Sequence, residues 1–214
     1  MKHASQIRRW HWDHTDGNGW VHDAGATIVA HENTLKRLSE RVRVEDWNTT
    51  FPPVEIGARP TEVMTTEKTM RFGGETLMIN YYRPSRTDSD VSVYLVKADV
   101  LFAGDTWWNG VYPFIDYVAG GSIDGMIHAA NANVTQAKNT TIIVSGHGPV
   151  GDRAQLVEYR DMLVAIRENV AKLKQQGKSI DEIIAAKPTA AYDAKWGNFV
   201  IGPAFFMRLV YRGI

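Results

Sequence analysis

The 214-residue sequence predicts a mixed α/β fold, and three observations carry that prediction. Short β-rich apolar runs separated by Gly, Asn and Asp turns fill the middle of the chain. An apolar stripe at steps of three and four, Leu156, Tyr159, Leu163, Ile166, Val170 and Leu173, marks a long helix with one buried face. A strand-then-helix order occurs near both ends, with no internal repeat and no low-complexity segment, so residues 1–214 are expected to form a single domain.

In chain order, Gly17 to Ala24 reads as a short helix, Ala26 to Ala30 as a compact strand, and Asn33 to Val42 as a helix. Residues 47–67 carry three prolines and no periodicity, which predicts an irregular connection over the surface. Thr69 to Phe72 and Thr76 to Tyr82, joined at Gly73-Gly74, predict one hairpin. Val91 to Val96 and Val100 to Ala103, joined around Lys97-Ala98-Asp99, predict another. Ser122 is placed to cap a helix reaching about Ala137, and Thr141 to Ser145 is a buried strand running into Gly146-His147-Gly148-Pro149. Asp152 caps the long helix and Gly177 stops it. Ser179 and Glu182 form a capping box for a short helix, and Pro203 opens a terminal helix that Gly213 closes.

Composition narrows the function classes. The chain has 24 basic and 24 acidic residues, so it offers no electrostatic reason to bind nucleic acid or an anionic membrane, and a small-molecule substrate is the expected partner. It contains no cysteine, which excludes disulfides, thiolate metal sites and thiol nucleophiles. No apolar run reaches the roughly 18 residues that span a bilayer, and Met1 to Trp10 lacks the apolar segment of an export signal. As written the chain is expected to be soluble and cytoplasmic.

The chemistry concentrates in three places. His11, Asp13 and His14 lie within four positions, and imidazole with carboxylate is a ligand set for zinc, iron or manganese. A polar helix start would carry the same residues, and on this cluster alone both readings stay open. Asp105 follows the apolar run Val100 to Gly104, and His147 follows the strand Thr141 to Ser145, each beside a glycine at a strand's C-terminal end, where α/β proteins place reactive groups. Trp107, Trp108 and Tyr112 follow Asp105 closely and are candidates for a substrate pocket, with Trp107 or Trp108 the better placed. Trp10 and Trp12 flank His11 and, like Phe114, are expected mainly in the core.

Taken together, "HWDHTDGN", "LFAGDTWWNG" and "VSGHGPVGD" resemble, in that order, three signature elements of the metallo-β-lactamase superfamily of metal-dependent hydrolases, and Gly120 to Gly125 resembles a Gly-Gly-Ser-Ile-Asp-Gly element of one of its branches. The resemblance implies an αββα sandwich. It implies that Asp13, His14 and His147 ligate a second-site metal ion, that Asp105 bridges both sites, and that His11 belongs to the first. Two departures affect the first site: Arg9 and Arg86 stand where the pattern has histidines. A guanidinium has no lone pair and is not deprotonated in proteins, so it is expected to pair with Asp105 as a fixed positive charge instead. One zinc ion is therefore expected rather than two, with iron or manganese as alternatives. The implied activity is hydrolysis of an ester, thioester, lactone or lactam, the ion lowering the pKa of its water and Asp13 or Asp105 orienting the attack. A second expectation is a binding or association subunit that keeps the fold without turnover. A third departure is that the chain begins at the signature, without the strands that precede it in the family. One sheet is then expected to be incomplete, with an exposed edge that favours a homo-oligomer. Such a start also leaves the compartment of longer, including periplasmic, relatives unread.

Overall fold

The structure, a computed structural model, describes the backbone of residues 5–8 and all of residues 10–214. Strand β1 (Ser5–Arg8) leads into a single helical turn α1 (Trp12–Thr15) and a short helix α2 (Asn18–Asp23) before β2 (Thr27–His31) returns parallel to β1. Helix α3 (Glu32–Ser39) follows at once, its N-terminus capped by His31, whose Nδ1 accepts from the Asn33 amide at 3.2 Å. The helix stops three residues before the expected end at Val42. Glu40 is already extended, and β3 (Val42–Val44) pairs antiparallel with β4 (Thr49–Phe51). The segment 47–67 is likewise not wholly irregular, since it holds β4 and β5 (Glu62–Met64), the latter parallel to β2. Three-residue strands are too short to show a period, and here pairing partners distant in sequence define them.

The two expected hairpins follow and join into one meander: β6 (Lys68–Phe72), β7 (Glu75–Tyr81), β8 (Val91–Leu95) and β9 (Val100–Trp108) are successively antiparallel. Helix α4 (Ile123–Gln136) crosses over to β10 (Ile142–His147), which lies parallel to β9 and completes a five-stranded sheet in the order β10-β9-β8-β7-β6. Ser122 caps α4 by accepting from the Gly125 amide. Helix α5 (Arg153–Gln175) opens with a capping box between Asp152 and Gln155, and α6 (Ile180–Ala186) with one between Ser179 and Glu182. A further helix, α7 (Ala190–Trp196), was not evident in the sequence, and α8 (Pro203–Arg212) ends at Gly213.

The alternation of the strands distributes the layers. Leu101, Ala103 and Ile143 are fully buried in one core with Met126 of α4 and Leu156, Leu163 and Ile166 of α5. Each such side chain contributes roughly 1.5–3 kcal/mol by leaving water. On the opposite face of the same sheet, Ile79 and Val91 form a second core with Val29 and Met64 of the three-stranded sheet β1-β2-β5. Helix α3 packs against that smaller sheet, giving an αββα order of layers. The smaller sheet covers only part of the larger: Phe102 and Ile142, in register with the face that carries Ile79, remain about half exposed. No helix among the described residues is long and apolar enough to cross a membrane.

Candidate metal centre

The two ends of the sequence signature are brought together by backbone geometry. His11 is extended (φ −68°, ψ 142°), and its carbonyl accepts from the His14 amide at 3.0 Å and from the Thr15 hydroxyl at 3.1 Å. The chain thus turns sharply into α1, and that turn presents Asp13 and His14 at the end of β10. His147 is the last residue of β10, where the pairing with β9 slips register after Val144 and again after Ser145. The glycine before it is dictated by space: a Cβ on Gly146 would lie 2.0 Å from Asp105 Oδ1 and 2.7 Å from the Gly104 carbonyl carbon. The Asn109 amide donates to the His147 carbonyl at 2.8 Å and fixes the loop beyond it. Asp105 does not follow its strand, as the sequence suggested, because β9 runs on through it to Trp108.

These elements bring Asp13, His14, Asp105 and His147 to one place. Asp13 Oδ2 lies 3.2 Å from His14 Nε2 and 3.3 Å from His147 Nε2. Asp105, fully buried, places Oδ2 3.1 Å from His14 Nε2 and Oδ1 3.4 Å from His147 Nε2. One ligand atom each from Asp13, His14 and His147 all fall within 4.8 Å of one another. The arrangement fits a divalent ion: metal–ligand bonds of roughly 2.0–2.2 Å in a tetrahedron set the ligand atoms about 3.3–3.6 Å apart. His147 Nε2 is moreover buried between two carboxylates, those of Asp13 and Asp105. Burial alone would raise the Asp13 carboxyl, but the hydrogen bond from His147 and the charge of His14 outweigh it and hold the group below its ordinary pKa. Asp13 is therefore ionised at neutral pH, as a ligand must be.

His11, expected at the first site, stands apart from this group. Its Nδ1 accepts from Arg86 Nη2 at 2.7 Å, and its Nε2 lies 2.9 Å from Asp116 Oδ2. A guanidinium only donates, so the ring proton sits on Nε2 and donates to Asp116. Both nitrogens are thus engaged. Burial first, and the charge of Arg86 second, push the His11 pKa down to about 4 against the opposing pull of Asp116. Arg86 also places Nη1 3.2 Å from Asp105 Oδ2 and stacks over Phe114 at 5.5 Å, so the expected pairing of Arg86 with Asp105 is present. Arg9, the other replaced position, lies outside the described residues.

Asp116 was missed in the sequence, where a single aspartate in "YPFID" carries no signal. It joins the site through the loop that the Gly-Gly-Ser-Ile-Asp-Gly element allows. The Asp116 amide donates to the Arg86 carbonyl at 2.9 Å, and a Cβ on Gly121 would meet that same oxygen at 2.1 Å. Burial tends to raise the Asp116 carboxyl, but the His11 hydrogen bond, with further help from the Ala119 amide and Arg86, holds it below its ordinary value.

A cavity of about 760 Å³ opens beside the cluster, with Asp13, His147, His11 and Arg86 on its polar side and Trp12, Trp47, Phe51, Trp108, Phe199 and Val200 among its apolar walls. Of the pocket candidates, Trp108 lines it, its ring 3.9 Å from that of His147. Trp107 and Tyr112 do not. Trp107 keeps the strand parity of Leu101 and Ala103 and is buried with them in the main core. Tyr112 is fully buried, stacked on Phe206 at 4.6 Å and donating to Asp193 at 2.9 Å. Trp10 is core as expected, whereas Trp12 is exposed at the mouth.

Comparison with known proteins places this geometry. No curated protein matches the sequence. Among solved structures, the chain is similar to the BLEG-1 B3 metallo-beta-lactamase (22% identity, 76% of this chain and 78% of that one, TM-score 0.64). It is also similar to a metallo-beta-lactamase from Pontibacter korlensis (21% identity, 75% and 69%, TM-score 0.59). The sec-alkylsulfatase Pisa1 from Pseudomonas sp. matches 98% of this chain with 40% of its own length, at 16% identity and a TM-score of 0.64. At these identities the likeness concerns the fold. A sequence model of the metallo-beta-lactamase superfamily matches residues 10–147, the span from the first signature element to the last, and the chain accordingly belongs to that superfamily.

Proposed function

We propose that the protein is a hydrolase that holds one divalent ion, zinc or alternatively iron or manganese, on Asp13, His14 and His147, with Asp105 behind them. The observation that carries this reading is the convergence of ligand atoms from α1 and from the end of β10 within 4.8 Å. Such an ion supplies a lowered pKa to a water molecule and polarises an ester, thioester, lactone or lactam carbonyl. The chain's own residues do the rest. Asp13, ionised and facing the cavity, is placed to orient a nucleophilic water and take its proton. Asp105, buried and beside Arg86, faces the same Nε2 atoms of His14 and His147 that Asp13 faces, so its carboxylate would complete the ligand set. Trp108, its ring 3.9 Å from that of His147 and tilted by 34°, keeps bulk water from that ring.

Arg86 restricts this reading to one ion. It fills the space beside Asp105 with a fixed cation and occupies the lone pair of His11 Nδ1 that would otherwise be free to bind an ion. Elemental analysis of protein purified without added metal is expected to give at most one ion per chain, falling to none in Asp13→Asn/His147→Ala. Two stoichiometric ions would refute it. The same Arg86 contacts favour a second reading, a ligand-binding protein without turnover. A metal-loaded chain that hydrolyses none of the four substrate classes would establish that one.

A further inference from the structure

We infer that the cavity selects an uncharged, elongated apolar substrate, an ester or lactone with a medium or long hydrocarbon portion, and discriminates against anionic amphiphiles. The inference rests on the hydrolase reading for the word substrate, but on the cavity alone for the ligand's character. Three segments distant in sequence converge on its mouth with large apolar side chains that a soluble surface does not ordinarily display together. Trp12 is 57% exposed, Trp47 37%, Phe199 50% and Val200 58%. Phe51 and Trp108 continue the apolar wall inward to the His147 ring. A volume near 760 Å³ lies in the range that encloses most of a ligand of drug size.

The charge balance excludes a charged head group. Among the described residues that line the polar side or bond directly to those that do, three carboxylates, Asp13, Asp105 and Asp116, stand against one guanidinium, Arg86, which donates to His11 Nδ1. One divalent ion brings this set to neutrality and leaves no surplus positive charge. Arg86 is itself only 3% exposed, and its charge is already balanced by the buried Asp105 carboxylate 3.2 Å away. A hydrocarbon with an uncharged polar end satisfies both halves of the cavity. Transfer from water then strengthens binding about three- to fourfold for each methylene that is enclosed.

The test is titration of the purified protein, with its metal content recorded, by 1-octanol, 1-butanol, octanoate and octyl sulfate, followed by tryptophan fluorescence, since Trp12, Trp47 and Trp108 line the cavity. Octanol is expected to bind at least about tenfold more tightly than butanol and than either anion. Phe199→Ser and Val200→Ser, at half-exposed positions that the fold does not require, should weaken octanol several-fold and leave the metal content unchanged. Equal or tighter binding of octanoate or octyl sulfate, or no dependence on chain length, would overturn the inference. Hydrolysis of p-nitrophenyl acetate and octanoate separates the two proposals. Selective octanol binding with neither these esters nor a thioester, lactone or lactam cleaved removes the hydrolase reading and keeps the cavity's selectivity, whereas equal cleavage of both esters does the reverse.

Discussion

Replacing Arg86 by methionine keeps most of the volume of the side chain and removes its charge from a place where only 3% of the residue is exposed. Asp105, fully buried, loses the cation 3.2 Å away, and His11 Nδ1 loses its donor at 2.7 Å. Removing one partner of a buried ion pair costs roughly 3–5 kcal/mol, because the other charge stays buried without compensation. For a domain of this size each kcal/mol lowers the melting temperature by roughly 2–4 °C, so the variant should melt on the order of 6–20 °C below the parent. Scanning calorimetry with a chelator present measures this directly. Added zinc should restore more stability to the variant than to the parent, since a cation on Asp13, His14 and His147 then neutralises Asp105. The pH profile should change as well. In the parent, His11 stays neutral down to about pH 4, whereas in the unfolded chain it takes up a proton near its ordinary 6.5. Stability present above pH 6.5 is therefore lost as pH falls toward 4, by roughly 3 kcal/mol for a difference of this size. Without Arg86, the second-largest cause of that depression disappears, the folded pKa rises, and the acid-side loss shrinks. A melting temperature within about 2 °C of the parent in chelator, together with an unchanged His11 titration by NMR, would refute the account of Arg86 as a buried counter-charge.

Three other outcomes are expected. Gly146→Ala should abolish stoichiometric metal uptake while the protein remains folded by circular dichroism, since the added methyl collides with Asp105 Oδ1; full occupancy in that variant would contradict the close approach. Asp99, which accepts from the hydroxyls of Thr140, Thr141 and Tyr94, has its pKa lowered to about 2 by them, so the stability it contributes is present above its unfolded value and is lost as pH falls toward 2. Asp99→Asn, which retains a residue suited to the left-handed backbone at φ 56°, should flatten acid unfolding in that window, and an identical acid profile would count against it. Finally, we propose that the half-exposed Phe102 and Ile142 on the uncovered sheet face favour self-association, and light scattering at micromolar concentration should report a dimer or larger species, a clean monomer being the contrary result.

The elements that the sequence made legible are those whose signals are local. The helix carrying Leu156 to Val170 and its Asp152 cap, the capping box at Ser179, and the hairpins around Gly73-Gly74 and Lys97-Asp99 each rest on a period or on turn chemistry within a few residues. The strands β3, β4 and β5 rest on pairing with distant partners and left no such trace. The same division holds at the site. Asp13, His14, Asp105 and His147 were readable because glycines and strand ends frame them, and Arg86 was readable as a departure from a pattern. The place of His11 was not, because it depends on Asp116, a residue 105 positions away whose only distinction is where the loop carries it. Trp107 and Trp108 were indistinguishable in the sequence because both are buried in the same core, and which of the two rings also reaches the cavity depends on the elements around it.

The candidate centre joins α1 to the end of β10, and the contacts that build it, such as His14 with Asp105 across 91 positions, are among the longest-range in the chain. Loop closure of that order is slow and comes late in folding. During synthesis the first two ligands leave the ribosome long before the third exists, so no nascent segment offers a complete cage to an ion. Acquisition of the proposed ion would then wait for the assembled protein, and an ion that binds only that state adds its binding free energy to the native side of the equilibrium alone. Occupancy would thus report on completed folding, and scarcity of the ion would shorten the lifetime of the chain as well as silence it.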